Sequence, residues 1–487
     1  MKILKITMIV LTACFVTTLA HAISSEKVTL KDDMTISYDK LPPIADTIKE
    51  AFSEGMVYGR LRSNLIYWDW DEENYKTGGN QKDNRAMGVG GSLIYKSARL
   101  KGISSTFGMY TSQNPVFFRE DKDDVGYAKT GKDTFSRDEV KKGGDYSGHY
   151  GMTVLGQALL QYDVSKTSIF AGRQLFESVF AQSNDTRMVP NTFDGVSAEI
   201  KDIPGTKIQL AYFTEQKLRD HIYSHDVIAY DGWKENDDSG VNKSLTKDLI
   251  GLDNKLIIAS VKNESIKNLN ASVGYLIVPD VVSNLMLEAY YKIPIGEWSV
   301  TPGARYMMQM DELHADTGVA NVSVMTDGYG DPNDLDGKLY AARVDVAREP
   351  WMIRLGYSKI SDDADIIAPW RGFPTGGFTR AMGQVNWLAN TESYMISIDY
   401  DFDKAGLIPG FRISTRYVIQ DLDDEKPGVP ADNDVIQIDL FQKLADSLEM
   451  KIRTDLVDGD TGTRDMNGKE KTDISYNEYR LELNYLF

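Results

Sequence analysis

The stretch "NEYRLELNYLF", residues 477–487, alternates between polar and apolar side chains up to the last residue. In an extended strand its apolar and aromatic residues share one face: Tyr479, Leu481, Leu483, Tyr485 and Phe487. The other face is polar: Glu478, Arg480, Glu482 and Asn484. Such alternation is typical of any half-buried strand, so this stretch alone fits a soluble sandwich as well as a membrane barrel.

The same period of two recurs along the whole chain and predicts about eighteen strands. They are expected near residues 56–68, 86–96, 100–111, 151–163, 166–174, 194–201, 206–214, 249–262, 269–278, 283–292, 296–309, 338–348, 350–360, 392–402, 409–420, 433–443, 447–457 and 476–487. An even number of strands is typical of membrane barrels formed by a single bacterial chain.

The connections between the predicted strands distinguish the two folds. Short turns ("SAR", "DVSK", "DIPG", "REP", "LADS") alternate with long polar segments, which are residues 112–150, 175–193, 215–248, 361–391 and 458–475. A soluble sandwich has no reason to sort its loops in this way, whereas outer membrane barrels have short periplasmic turns and long external loops. We therefore predict an all-β fold, a single-chain transmembrane antiparallel β-barrel. Residues 275–284 are the weak point, because their outer loop would be unusually short.

The beginning of the chain predicts a cleaved signal peptide at residues 1–22. Lys2 and Lys5 precede an uncharged apolar run, and "AHA" at residues 20–22 is a small-x-small cleavage site. "LTAC" at residues 11–14 leaves a lipoprotein signal open as an alternative. Cleavage after residue 22 removes Cys14, the one cysteine, so the mature chain is expected to be stable without disulfides.

Residues 23–55 are predicted to be an N-terminal extension that precedes a barrel at residues 56–487. "PIADTIKEAFSEG" places Ile44, Ile48, Ala51 and Phe52 on one helical face, with Gly55 as a stop. We expect a short helix there, on the periplasmic side or in the mouth of the barrel.

Charge and hydropathy exclude several classes of protein. The formal net charge is −18, which argues against a nucleic-acid partner. Beyond the signal peptide no run of about 18 apolar residues is present, so a helical membrane protein is excluded. We expect no cofactor and no metal site, although His221 and His225 beside two aspartates leave a weak metal alternative open.

Two stretches resemble a known family. "GRQLFESVFAQSNDTRMVPNTFDGV", residues 172–196, carries Gly-Arg-Gln followed by Asn-Asp-Thr-Arg, a proline and Thr-Phe-Asp-Gly. "ESYMISIDYDFDKAGLIPGFRISTRYV", residues 392–418, carries Tyr-Asp-Phe, Gly-Leu-Ile-Pro-Gly and Arg-Tyr. Both resemble motifs of the OprD-type outer membrane porins of Gram-negative bacteria, the first more specifically. The resemblance implies an eighteen-stranded monomeric channel with an inward-folded third loop.

Strand parity predicts a basic wall inside the barrel. Its members, besides Lys451, are Arg60, Arg62, Arg305, Arg343, Arg354, Arg412, Arg416, Arg453 and Arg480. Arginine binds carboxylates with a fixed fork of donors. The alternative is that these arginines only pair with lumenal carboxylates such as Asp345, Asp439 and Glu482. The resemblance favours a functional wall, because OprD-type channels have an arginine ladder that guides carboxylate-bearing solutes.

The loop at residues 175–193 is predicted to constrict the pore. Its candidate residues are Phe176, Phe180, Asp185, Arg187 and Phe193. They could equally only pin the loop to the wall. "PWRGFPTGGF", residues 369–378, is a second candidate constriction.

These observations predict a porin in the cell outer membrane, not an enzyme. It would pass small carboxylate-bearing solutes, such as amino acids, organic acids and small peptides, by passive and substrate-preferring diffusion. An adhesin-like structural barrel and, less favoured, a barrel enzyme are the alternatives. Expected partners are the solutes, outer membrane lipid and lipopolysaccharide, and the barrel-assembly machinery, which reads a terminal phenylalanine such as Phe487. We expect a monomer or a loose trimer.

Overall fold

The computed structural model describes residues 28–31, 34–38, 40–119, 124, 127, 150–219, 221–228, 245, 247–251, 253–314, 318–320 and 327–487. The predicted signal peptide lies outside these residues. The α-helices of these residues are α1 (Ile48–Ser53) and α2 (Lys247–Ile250). Within the described part of the chain, no helix has the length and the apolar character needed to cross a membrane.

Strands make up most of the described chain. In chain order they are β1 (Val28–Leu30), β2 (Ile36–Tyr38), β3 (Ile44–Ala45), β4 (Met56–Trp70), β5 (Asn84–Lys96), β6 (Arg99–Leu100), β7 (Ile103–Gln113), β8 (Gly151–Val164), β9 (Thr167–Gln174), β10 (Thr192–Ile200), β11 (Thr206–Lys217), β12 (Leu256–Asn263), β13 (Leu269–Val278), β14 (Val282–Tyr291), β15 (Ile293–Ile295), β16 (Trp298–Asp311), β17 (Gly337–Arg348), β18 (Trp351–Ile360), β19 (Glu392–Asp401), β20 (Phe411–Asp421), β21 (Asn433–Ala445), β22 (Leu448–Gly459) and β23 (Tyr476–Leu486).

Eighteen long antiparallel strands close into a single barrel, as predicted from the sequence. The closing seam joins the last strand to the first long one, with Tyr479 opposite Tyr67 and Tyr485 opposite Leu61. Closure pairs the backbone N–H and C=O groups that an open edge would expose to lipid, where an unpaired group costs several kcal/mol. The stretch at residues 477–487 is thus a barrel strand rather than the edge of a sandwich.

The two faces of the wall differ as period-two alternation requires. On β19, Ile396 and Ile398 point outward and each is 41% exposed, whereas Ser397 between them points inward and is 6% exposed. The short outer loop also occurs: Val278 pairs with Val282, which leaves residues 279–281 as the whole connection between β13 and β14. The predicted strand at 249–262 was wrong at its start, because α2 ends at Ile250 and β12 begins only at Leu256.

The N-terminal extension adds a hairpin, a short strand and a helix to the barrel. Strand β3 pairs in parallel with β6, beside the short turn between β5 and β7, so α1 lies on the short-turn side. Thr47 caps α1 through a capping box with Glu50. The predicted helical face was wrong at Ile44, which lies in β3. Ala51 is buried, but Ile48 is 70% exposed.

The segment at residues 175–191 folds into the barrel and is tied to the wall by buried charges. Asp185 accepts hydrogen bonds from Arg60 and from Nη1 of Arg62, the latter at 2.8 Å. Arg62 also binds Glu482 on β23 through Nε, at 2.9 Å. All four side chains are buried. A buried charge without its partner strongly destabilises the folded state. The network therefore fixes the position of the loop against the wall.

Attached spin labels test the alternation of the wall. Labels at Ile396→Cys and Ile398→Cys should collide mainly with oxygen dissolved in lipid, because these positions face outward. Labels at Ser397→Cys and Asp399→Cys should collide mainly with a water-soluble nickel chelate. Equal accessibility of all four labels to either reagent would contradict a two-faced barrel wall.

Removal of the carboxylate of Asp185 tests the anchor of the loop. Asp185→Asn leaves two buried arginines short of one counter-charge, which should destabilise the docked loop by about 3–5 kcal/mol. Single-channel recordings should then show frequent spontaneous changes in current. The control is Glu297→Gln, which removes the same charge at an exposed turn away from the cavity. An equally quiet current in both variants would show that the network does not hold the loop.

Candidate functional site

A cavity of about 870 Å³ lies inside the barrel. Gly410, Gln442 and Lys443, at the short-turn ends of their strands, border it on one side, and Gly428 and Pro430 border it on the long-loop side. It therefore reaches towards both rims of the barrel. The loop at residues 361–391 and strands β20 to β23 supply much of its lining.

The cavity lining is strongly basic. Its cationic side chains are Lys31, Arg187, Arg219, Arg380, Arg412, Arg416, Lys443, Lys451, Arg453 and Arg480. Its acidic side chains are Asp439 and Glu449. Among the described lining residues, ten cations thus face two anions, although the whole chain carries a net charge of −18. The sign of the charge on the cavity lining is opposite to that of the chain as a whole.

Strand register orders the cations of β20 to β23 into successive levels. At the level nearest the short turns, Arg412 is opposite Phe441, which is opposite Lys451. Two residues further, Asp439 is opposite Arg453, which is opposite Arg480. These residues share the inner face because side chains two positions apart point the same way.

Arg416 continues this order towards the long loops. It lies four residues after Arg412 on β20, so the two Cα atoms are roughly 13 Å apart at the usual strand rise. Its Nη1 donates to the carbonyl oxygen of Arg380 at 2.9 Å. The cations therefore form a path along the pore rather than a single cluster.

The cations differ in how fully they are neutralised. Arg453 forms a two-pronged pair with Asp439, at 3.0 and 3.2 Å. Arg412 and Lys451 instead lie against the Phe441 ring, 4.3 and 4.7 Å from its centroid. An aromatic face attracts cations without neutralising them, so the charge of Arg412 remains available to an anion.

Arg380 is a cavity cation that sequence reasoning missed. It lies in the loop at residues 361–391, outside every strand, so strand parity could not identify it. Its guanidinium lies over Phe373 at 3.6 Å and near Trp387 at 5.3 Å. Burial and the neighbouring charge of Arg219 lower the pKa of Arg380 to about 9, which leaves it protonated at neutral pH. Arg219 was missed for the same reason, because it lies in the loop that follows β11. Lys443 was missed because it lies near the end of β21.

Five arginines of the predicted wall do not border the cavity. Arg60 and Arg62 hold the loop at residues 175–191, as described above. Arg305 pairs with Glu288 and donates to the carbonyl oxygen of Pro374 at 2.6 Å. Arg354 pairs with Asp345, and Arg343 donates to the carbonyl oxygen of Gly377 at 2.8 Å.

Arg305, Arg343 and Arg354 donate to carbonyl oxygens of the loop at residues 361–391, which gives these three arginines a positioning role. They hold the loop at residues 361–391 inside the barrel. This loop is also joined to the loop at residues 175–191, since the Gln182 N–H donates to the Trp370 carbonyl oxygen at 2.8 Å. The two predicted constrictions therefore fold inward together.

Within the loop at residues 175–193, the predicted residues separate into two groups. Phe176 and Phe193 pack with Phe213, with ring centroids 5.0 to 6.4 Å apart, and Phe180 joins the same apolar cluster. Asp185 is the anchor to the wall. Arg187 borders the cavity. The aromatic residues hold the loop, and Arg187 is the member that can meet a solute.

No metal-binding cluster is found in the part of the chain that the structure describes. The site offers positive charge, aromatic surface and open space of about 870 Å³. Such a lining suits the passage of an anion.

Comparison with known proteins places the chain in a family. The family model described as outer membrane porin, OprD family, matches residues 124–485, which is more than half of the chain. A search of curated proteins finds no match.

Solved structures share the fold. Pseudomonas aeruginosa OccK8 (OprE) has a TM-score of 0.68 at 16% identity, covering 90% of this chain and 99% of its own. Acinetobacter baumannii OccAB3 has a TM-score of 0.68 at 17% identity, covering 89% and 99%. P. aeruginosa OpdK, solved with vanillate, has a TM-score of 0.65 at 15% identity, covering 88% and 98%. With the closed barrel and the family match, the chain belongs to the OprD family of outer membrane porins.

Proposed function

We propose that this porin passes small carboxylate-bearing solutes, such as organic acids, amino acids and small peptides, by passive diffusion along its basic path. The observation that carries the proposal is the lining of the cavity, where ten cationic side chains face two acidic ones. The wall predicted from the sequence contributes Arg412, Arg416, Arg453 and Arg480 to this lining, and the inward loops add Arg187 and Arg380.

The physical basis is the cost of removing water from an anion in a narrow pore. A carboxylate that loses part of its hydration shell needs a compensating charge, which guanidinium groups supply with two parallel hydrogen bonds. Each cation on the path already has an aromatic or polar neighbour. A solute therefore exchanges one moderate contact for another instead of being trapped, as flux requires.

The ligand of one structural relative also supports a carboxylate as the solute. OpdK was solved with vanillate, which is a carboxylate. Phe373, Phe441 and Tyr476 lie among the cations of the present cavity, so the apolar part of an organic acid has surface to contact.

The same proposal includes export and assembly. We propose cleavage after Ala22, insertion by the barrel-assembly machinery through the strand that ends at Phe487, and contact of the outer face with lipid and lipopolysaccharide. The pairing of the closing strand supports the proposed role of that strand in assembly, because Phe487 and Gly59 exchange backbone hydrogen bonds at 2.9 and 3.1 Å. We propose a monomer or a loose trimer as the working unit.

Neutralising the two β20 arginines tests the basic path. Arg412→Gln combined with Arg416→Gln should lower the flux of a small carboxylate several-fold in proteoliposomes, because the solute loses its charge compensation at two levels. A neutral sugar of similar size should enter at nearly the wild-type rate. Heat-modifiable migration in gels shows whether the barrel is folded.

The matched control is Arg348→Gln, which removes an exposed arginine paired with Glu297 away from the cavity. It should leave both fluxes unchanged. Wild-type carboxylate flux in the folded double variant would mean that these arginines are not part of the solute path.

A further inference from the structure

An apolar patch lies on the inner face of the barrel, where water is expected. It consists of Ile94, Tyr110, Met152, Val154 and Leu486, all less than 4% exposed. Their neighbours Leu93 and Met109 point outward and are exposed, so parity places the patch inside. Apolar side chains facing an aqueous lumen need a cover, since each buried side chain contributes about 1.5–3 kcal/mol only when water is excluded.

The N-terminal hairpin of β1 and β2 supplies part of that cover. Val28 and Ile36 are buried in the same cluster as the patch, and Leu30 and Tyr38 pack against it. Tyr38 stacks on Tyr58 of β4, with ring centroids 5.2 Å apart. The hairpin is therefore inside the barrel and rests on strands β4 to β8.

A charged group of the wall fixes the hairpin in place. Nη1 of Arg60 donates to the carbonyl oxygen of Met34 at 2.8 Å, while Nη2 of the same arginine binds Asp185. One buried guanidinium thus joins the wall, the hairpin and the loop at residues 175–191. Met34 has a positive φ of 66°, and its N–H donates to the Lys31 carbonyl oxygen at 2.8 Å, which closes the turn between the strands.

The side of the hairpin away from the patch borders the cavity. Leu30, Lys31 and Met34 line it together with Arg412 and Lys451 on the other wall. The space between the hairpin and β20 to β22 is thus the route open to a solute at this depth. The hairpin removes the β4 to β8 side of the lumen from that route.

We propose that the β1–β2 hairpin is an internal constriction that limits the size of solutes and keeps them against the basic path. The two loops at residues 175–191 and 361–391 narrow the lumen from the long-loop side, and the hairpin narrows it on the β4 to β8 side, where it packs with Met188 and Val189 of the first loop. Its effect is steric, so it applies to neutral solutes as well as to carboxylates. A test of the hairpin with neutral solutes is therefore independent of the proposed solute class.

Releasing the hairpin from the patch tests the constriction. Val28→Asp combined with Ile36→Asp places two charges in the apolar cluster, and deletion of residues 28–38 removes the hairpin without adding charge. Both should raise single-channel conductance about two-fold or more, since ion flow depends on the narrowest part of a pore. Both should also admit larger neutral sugars in liposome swelling.

The matched control adds the same charge elsewhere on the extension. Leu41 and Ile48 are exposed and lie outside the hairpin, so Leu41→Asp combined with Ile48→Asp should leave conductance and sugar entry at wild-type values. Unchanged conductance and sugar entry in the folded deletion variant would overturn the proposal.

A further measurement leaves the hairpin docked. The mature chain predicted here has no cysteine, so Lys31→Cys and the exposed Lys40→Cys can be labelled singly with a bulky thiol reagent. The label at position 31 should reduce the current through the open channel, and the label at position 40 should not. Equal currents after both labels react would also overturn the proposal.

Discussion

The pairing of β23 with β4 is the constraint on which the rest of the molecule depends. In lipid no water is available to the backbone, so a sheet of this size must close to leave no edge. Closure brings Glu482 near the end of the chain into an ion pair with Arg62 near its beginning, at 2.6 Å. It also sets the parity of every strand, and parity decides which charged side chains enter the lumen.

Inside the closed barrel, arginines serve two purposes that the local environment separates. One group of arginines positions the inward segments, because its members donate hydrogen bonds to a buried carboxylate or to loop carbonyl oxygens. These are Arg60, Arg62, Arg305 and Arg343. Arg412 and Arg416 have aromatic or backbone neighbours and keep charge available in the cavity. The same residue type thus builds the constriction and lines the path through it, while acidic residues dominate the chain as a whole.

The sequence predicts the strands well because each strand is decided locally by alternation and by turn residues. It also predicts that Arg412, Arg416, Arg453 and Arg480 share an inner face. It does not predict which arginines are paired, because Arg60 meets Asp185 and Met34 only through the tertiary fold. Arg380 and the hairpin escape prediction for a related reason: both lie outside the barrel strands, where parity gives no information. The same limit explains the misplaced start of β12.

The central claim is that the lumen recognises a carboxylate by its charge. The most direct measurement compares a small carboxylate with its uncharged amide, each added to one side of a single wild-type channel in a planar bilayer. The carboxylate should interrupt the ionic current in a concentration-dependent and saturable manner, and the amide, which has the same shape, should not. Identical current records with the two compounds would contradict charge recognition by the basic path.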